Sequence, residues 1–319
     1  MRIDIPSVNE LIEAQHRIEG KIKRTPILTS LTLNNIFQCE LLFKCENFQK
    51  VGAFKFRGAT NAVLNLPKDR LKNGVATHSS GNHAAALSLA AQNARTKAYI
   101  VMPKTAPKIK QEAVRNYGGE ITFCEPNQKA REEKLKEIVK ETNAEFIHPY
   151  DNHDIICGQS TCAKEIFEEY KELDYIITPV GGGGLLSGTC LSAKYFSGKT
   201  KVVAAEPKGA DDAYRSIRDD KIYPSVNPQT IADGLLTSLS ERTFTIIKEN
   251  IDEIITVSEE NIITAMKMIY ERMKIVVEPS SAVALSAIIT KPEKFKGKKI
   301  ALILTGGNVD LTNLPWLDD

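Results

Sequence analysis

No two of the six cysteines (Cys39, Cys45, Cys124, Cys157, Cys162, Cys190) stand in a C-x-x-C spacing, which argues against a zinc ribbon and a disulfide framework. Unpaired thiols are the expectation for a cytoplasmic enzyme. No stretch approaches the ~20 apolar residues that a membrane-spanning helix needs. Met1 to Pro6 holds no apolar run, so no secretory leader is expected. Neither sign of charge accumulates: 42 Lys and Arg are interspersed with 40 Asp and Glu, a formal net of +2. That balance removes the electrostatic footprint of a nucleic-acid or membrane-surface binder. Internal repeats and low-complexity tracts are missing as well.

What is present is an alternation of short apolar runs with helical patterns over 319 residues, enough for two lobes. Ser7-Val8-Asn9-Glu10 has the form of a capping box and predicts a helix to about Glu19, ended by Gly20. Thr25-Pro26 breaks the pattern. A short helix near 30–37 leads to a strand over 40–45, and a helix runs from Lys55 to Leu66. Strands are predicted at 75–77, 98–102 and 121–124, with helices from Ala84, over 108–117 and over 128–141. A second series follows Pro149: a helix over 158–170, strands at 175–180, 201–205, 254–257 and 300–304, and helices after Gly184 and over 258–273 and 279–290. Such alternation predicts an α/β fold of two lobes, each a mostly parallel twisted sheet covered by helices. The smaller lobe is expected over 71–147, and the larger over 1–70 and 148–319. In such folds ligands sit beyond the carboxyl ends of strands. Three polar or glycine-rich loops fall there: Ser79 to His83, Gly181 to Gly184, and Thr305 to Asn308.

Lys55 stands between Phe54 and Phe56, with Gly52 and Gly58 on either side. An amine that attacks a carbonyl must be unprotonated, and an apolar setting lowers a lysine pKa. Gly181-Gly182-Gly183-Gly184 lies between a strand and a helix, where bare backbone N–H groups and the helix dipole form a phosphate cradle. The spacing is not that of a dinucleotide fingerprint, because Leu186 or Ser187 stands at the last glycine position, and no P-loop motif is present. A nicotinamide oxidoreductase is therefore disfavoured. A reactive lysine with a phosphate cradle points to a phosphorylated aldehyde, which is pyridoxal phosphate.

The segment Asn47-Phe48-Gln49-Lys50-Val51-Gly52-Ala53-Phe54-Lys55-Phe56-Arg57-Gly58-Ala59 resembles the cofactor-lysine signature of the serine/threonine dehydratase and serine racemase family. Ser79-Ser80-Gly81-Asn82-His83, the glycine run and Thr305-Gly306-Gly307-Asn308 match its other motifs in the same order. Within that family the chain most resembles the eukaryotic racemases. The resemblance implies the fold of the tryptophan synthase β-subunit, with residues 1–70 and 148–319 as the cofactor-binding lobe and 71–147 on the substrate side. It implies Lys55 as cofactor anchor and proton carrier on one face of the substrate, and Ser80 as proton carrier on the other. It places Phe54, Asn82, Gly181, Gly182, Gly183, Gly184 and Thr305 on the cofactor, and Ser79, Ser80, Gly81, Asn82 and His83 on the substrate carboxylate.

The same resemblance implies further ligands. Glu206, Ala210 and Asp212 match a loop that holds Mg²⁺, Ca²⁺ or Mn²⁺. Read alone, that stretch is a solvated acidic turn, and Ser79-Ser80 a helix cap. Lys50, Tyr117, Lys274, Glu278 and Asn308 fall where ATP would contact a homodimer interface. Arg131 and Asp233 are candidates for substrate selection. The activity implied is interconversion of L- and D-serine, with elimination to pyruvate and ammonia. The alternative is a dehydratase of serine, threonine or 3-hydroxyaspartate with little racemisation. A feedback-controlled threonine dehydratase is disfavoured because no regulatory module follows Asp319. A cofactor-binding protein without catalysis is disfavoured because both Lys55 and Ser80 are present.

Overall fold

The computed structural model describes residues 3–317; Met1, Arg2, Asp318 and Asp319, which the sequence reading assigns to the larger lobe, lie outside the described residues. The chain begins with helix α1 (Val8–Ile18), strand β1 (Ile27–Thr29), α2 (Leu31–Phe37), β2 (Glu40–Cys45), α3 (Lys55–Asn65) and α4 (Lys68–Leu71). It continues with β3 (Val75–His78), α5 (Asn82–Asn93), β4 (Ala98–Pro103), α6 (Lys108–Asn116), β5 (Gly119–Cys124), α7 (Gln128–Thr142) and β6 (Glu145–Phe146). After α8 (His153–Glu169) come β7 (Tyr175–Pro179), α9 (Gly184–Phe196), β8 (Lys201–Pro207), α10 (Asp212–Arg218), α11 (Glu241–Asn250), β9 (Glu253–Val257), α12 (Glu259–Met273), α13 (Pro279–Thr290), α14 (Pro292–Phe295) and β10 (Lys299–Leu304).

Two sheets result. One has six strands in the order β1-β2-β10-β7-β8-β9; the other has four, β5-β4-β3-β6. Every pairing is parallel except β1 against β2. Inner strands such as β8 and β10 are buried along both faces, as sheets covered by helices require. The expected α/β architecture is therefore the observed one. The predicted capping box is also present: Glu10 Oε2 accepts from Ser7 N at 2.8 Å and Ser7 Oγ from Glu10 N at 3.4 Å.

Several boundaries differ, each for a local reason. Helix α8 starts five residues before the expected Gly158, because Asn152 caps it by accepting from Ile155 N at 3.0 Å. Helix α5 begins at Asn82 rather than Ala84, so Asn82 and His83 belong to its first turn and not to a loop. Strand β8 runs on through Glu206 and Pro207, paired with Thr256 and Val257. Strand β1, which Thr25-Pro26 obscured, is a three-residue edge pairing Ile27 with Lys44. Strand β6 and helices α4, α10, α11 and α14 are further elements the sequence reading did not separate. All but α11 are too short for a hydrophobic period to register.

Helix α3 joins the two sheets. Its Phe56, Ala59, Ala62 and Val63 pack in one cluster with Val75 of β3, Ile100 of β4 and the alanines of α5. Its Arg57 points the other way, into a fully buried set of charges. Arg57 Nε and Nη2 donate to Glu46 at 2.8 and 2.7 Å, and Nη1 and Nη2 donate to Glu165 at 2.7 and 2.9 Å. Lys44 Nζ donates to the same Glu165 at 2.6 Å. Burial by itself would push the Glu46 carboxyl up, but the Arg57 charge and hydrogen bonds, the Lys44 charge and the Thr25 hydroxyl together outweigh it and hold that group below its ordinary value. Two cations and two anions thus balance out of contact with water.

Removing one partner of such a set strands a buried charge. Arg57→Met is expected to lower unfolding free energy by about 3–5 kcal/mol in urea titration. A change below about 1 kcal/mol, the range of exposed pairs, would show that the network is not holding α3.

Candidate active site

Strand pairing explains why distant loops meet. Strands β7 and β10 are parallel neighbours, so Gly181 to Gly184 and Thr305 leave the same edge of the larger sheet side by side. Strands β3 and β6 are parallel neighbours in the smaller sheet, so the Ser79 loop and the segment after Phe146 leave together as well. These carboxyl ends surround a cavity of about 550 Å³. Phe54, Lys55, Ser79, Ser80, Gly81, Asn82, His83, the four glycines and Thr305 all line it.

Lys55 is the first residue of α3, where the positive end of the helix dipole disfavours an ammonium. Burial lowers its pKa to about 8, and the Glu278 carboxylate pulls it the other way. The expectation of an aromatic wall on both sides is corrected. Lys55 Nζ lies over the Phe54 ring at 5.1 Å, but Phe56 is in the core and faces Lys50 Nζ at 5.7 Å. Residues two apart at a helix start do not face one direction. The amine instead donates to the Pro149 carbonyl at 3.0 Å.

The glycine run meets the helix dipole directly. Helix α9 opens at Gly184 with no side-chain cap. The N–H groups of Gly182, Gly183 and Gly184 find no acceptor among the described residues. Gly183 has φ +86°, and a Cβ there would sit 2.9 Å from Thr243 Cβ. A side chain at Gly182 would collide with the Tyr150 ring, and one at Gly184 would lie 2.9 Å from Tyr150 Cβ. The backbone is bare because Tyr150 packs on it, and the unpaired N–H groups are left for an anion.

The Ser79 loop leads to the uncapped start of α5, a second set of free N–H groups suited to a carboxylate. Asn82 is held from two sides: its Nδ2 donates to the Glu278 carboxylate at 2.9 and 3.2 Å, and its Oδ1 accepts from Asn308 Nδ2 at 2.8 Å. His83 is buried against the Ile147 carbonyl, and burial lowers its pKa to about 3. Glu278, named among the expected ATP contacts, lines the cavity; burial raises its pKa to about 7 against the hydrogen bonds from Asn82. Arg131 and Asp233 also line the cavity, and Asp233 pairs with Lys110.

Other residues singled out from the sequence lie elsewhere. Glu206, Ala210 and Asp212 are outside the cavity wall. Glu206 accepts from the N–H groups of Ala213 and Tyr214 at 2.8 and 2.7 Å, and Asp212 leaves a buried Oδ2 without a partner. Burial raises the Asp212 pKa to about 6 and that of Glu206 well above its ordinary value. Lys50 Nζ donates to Lys21 O, Tyr117 ends α6, Lys274 ends α12 in a left-handed conformation, and Asn308 Nδ2 also donates to Val51 O at 2.8 Å. The sequence reading missed His148, Pro149 and Tyr150. They follow a two-residue strand, and nothing in their local pattern marks them.

The chemistry on the cavity wall is that of an enzyme using a lysine-bound aldehyde with an anionic tail. An amine near neutrality, bare backbone donors and a neutral hydroxyl at Thr305 all fit pyridoxal phosphate. Comparison with known proteins agrees: residues 18–306 match the family described as pyridoxal-phosphate dependent enzyme. The chain is 50% identical to the β-hydroxyaspartate dehydratase of Paracoccus denitrificans, over 98% of this chain and 99% of that protein. It is 49% identical to the serine racemase of Dictyostelium discoideum, over 97% of this chain and 96% of that protein. The crystal structure of the Dictyostelium discoideum serine racemase superposes with a TM-score of 0.92, covering 96% of this chain and 99% of that chain. This chain belongs to the family of pyridoxal-phosphate-dependent enzymes, and its cofactor is pyridoxal phosphate.

The Lys55 environment has a measurable consequence in the apoenzyme. Only the neutral amine reacts with an acylating reagent, so Lys55 labelling should rise with pH through about 8. Exposed lysines should inflect near 10.4. Competitive labelling followed by peptide mass analysis reads both. A Lys55 inflection above 10 would contradict a desolvated amine.

Proposed function

We propose that this chain is a serine racemase that also eliminates serine to pyruvate and ammonia. The observation that carries the reading is that Lys55 and Ser80 line one cavity together with the unpaired N–H groups of the glycine run. The bound cofactor supplies an electron sink that acidifies the substrate's α-hydrogen. Lys55 holds the cofactor and moves a proton at the α-carbon from one face. Ser80 moves one at the opposite face, and removal on one side with return on the other inverts the carbon. Ser79, Gly81 and Asn82 at the start of α5 hold the substrate carboxylate. His83, buried against Ile147 O, supports that helix start from behind. Gly181 to Gly184 hold the phosphate. Thr305 offers the ring nitrogen a neutral hydroxyl, which cannot keep it protonated as a carboxylate would. With such a partner the cofactor would be a weaker electron sink, and loss of the β-hydroxyl would compete with return of the proton.

A second reading has its own support. Arg131 on α7 lines the cavity, and its buried Nε has no partner in the protein. A guanidinium so placed suits a second substrate carboxylate. Dehydration of 3-hydroxyaspartate with little racemisation is the activity that carboxylate implies, and one relative bears the name β-hydroxyaspartate dehydratase.

We also propose Mg²⁺, Ca²⁺ or Mn²⁺ at Glu206, Ala210 and Asp212. The partnerless Asp212 Oδ2 and the raised carboxyls support a missing positive charge. Among the described residues no cluster of three or more His, Cys, Asp or Glu side chains is arranged for a metal, so carbonyl and water oxygens would complete the shell. ATP at Lys50, Tyr117, Lys274, Glu278 and Asn308, a homodimer, and a smaller lobe bounded at 71–147 are proposed on the resemblance. Six buried, unpaired cysteines support a reducing, cytoplasmic setting. Among the described residues no helix is long and apolar enough to cross a membrane.

Chiral chromatography with a pyruvate assay tests the main reading. L-serine should yield both D-serine and pyruvate, and Ser80→Ala should lower racemisation at least ~100-fold. Absence of pyruvate, or racemisation untouched by Ser80→Ala, would overturn it. Turnover of 3-hydroxyaspartate alone, lost in Arg131→Met, would favour the second reading. Chelation by EDTA should lower activity or melting temperature, with recovery on adding Mg²⁺; indifference to EDTA would remove the metal site.

A further inference from the structure

The segment Ile147 to Asp151, between β6 and α8, lines the cavity through His148, Pro149 and Tyr150. The Pro149 carbonyl accepts from Lys55 Nζ at 3.0 Å, and the Tyr150 ring packs on Gly182 and Gly184. The segment is pinned from behind: Ile147 N donates to Ala76 O at 2.9 Å, and His83 Nε2 donates to Ile147 O at 3.2 Å. Its tightest feature is internal. His148 Nδ1 accepts from Asp151 N at 2.9 Å and from Tyr150 N at 3.4 Å. These are the bonds that an Asn or Asp side chain makes in an Asx turn. Pro149 has no N–H to offer, so the imidazole collects both donors that the turn directs inward. Accepting them requires an unprotonated Nδ1. Burial lowers the His148 pKa to about 4, so the ring is neutral throughout the ordinary range. Its other nitrogen then carries the proton, and the ring packs edge-on against Tyr150 at 4.6 Å.

We propose that His148 is a positioning residue that, through the turn it closes and the Pro149 carbonyl, aims the lone pair of the Lys55 amine at the substrate's α-carbon. The inference rests on Lys55 carrying the proton on one substrate face. A neutral amine has two N–H bonds and one lone pair. Committing one N–H to Pro149 O stops free rotation about the Cε–Nζ bond and turns the lone pair away from that carbonyl. When the α-hydrogen is taken, the C–H bond breaks, its electron pair stays with the substrate, and the proton bonds to that lone pair; return reverses these steps. The hydrogen bonds of the turn do not reach Ser80, so its influence is one-sided.

The holoenzyme tests this with two variants. His148→Phe keeps a ring against Tyr150 and deletes the acceptor; His148→Asn restores an acceptor for the same two N–H groups. Exchange of the α-hydrogen with solvent deuterium is followed separately for each serine enantiomer by proton NMR. His148→Phe should slow exchange by about 10- to 100-fold for the enantiomer whose hydrogen faces Lys55, and less than about 2-fold for the other. His148→Asn should recover most of the loss. Amide exchange read by mass spectrometry is independent of turnover: the Tyr150 and Asp151 amides should be protected in the unaltered enzyme and about tenfold less so in His148→Phe. Equal slowing for both enantiomers, or no rescue by asparagine, would overturn the proposal. So would free exchange of the two amides in the unaltered enzyme, a result that needs no variant to fold. If the unaltered enzyme exchanged neither enantiomer, the racemase reading itself would fall.

Discussion

A guanidinium with no access to water fixes where the reactive lysine sits. Arg57 follows Lys55 by two residues and is clamped by Glu46 and Glu165. Glu46 comes from just beyond β2 and Glu165 from α8, elements far apart in sequence. Lys44 completes the balance on Glu165. The helices carrying these groups can meet only because glycines face each other: a Cβ at Gly158 would lie 2.6 Å from Gly58 Cα. Ionic anchoring on one side and apolar packing of Phe56 on the other leave α3 one position, with its first residue at the cavity. The arrangement favours geometry over raw stability, since a buried ion set of this kind need not outdo well-packed apolar side chains.

Around that amine the cavity suppresses charge. Burial brings Lys55 down to about 8, His83 to about 3 and His148 to about 4, and brings Glu278 up to about 7. The sites read as holders of the phosphate and the α-carboxylate are helix starts and bare N–H groups rather than cationic side chains; Lys110 and Arg131 line other parts of the wall. Dipoles fixed by the fold need no reorganisation when charge develops, and a low-dielectric wall makes them effective. Burial outweighs the pull of the Glu278 carboxylate on Lys55, and that leaves the amine able to act as both anchor and proton carrier.

Much of this was legible in the chain. The alternating strands and helices gave the parallel sheets, and strand-end loops marked Ser79 to His83, Gly181 to Gly184 and Thr305, which do converge. Those features are local: periodicity, glycine runs and polar residues at strand ends. What was illegible is tertiary. Nothing in Glu278-Pro279 distinguishes a surface helix start from a carboxylate at the cavity wall. His148 and Tyr150 gain their place from β6, which two residues are too few to announce. Phe56 looked like a neighbour of the Lys55 amine, until the helical turn sent it into the core. The buried charge set of Lys44, Glu46, Arg57 and Glu165 was not foreseen, since its partners lie up to 121 positions apart.

The central claim is that one amine, held by α3, carries the cofactor. Borohydride reduction of the purified holoenzyme, followed by peptide mapping, tests it most directly. The account predicts a stable pyridoxyl group on the peptide containing Lys55 and on no other lysine. A colourless protein that takes up no pyridoxal phosphate, or a reduced linkage at a different lysine with Lys55 unmodified, would contradict it.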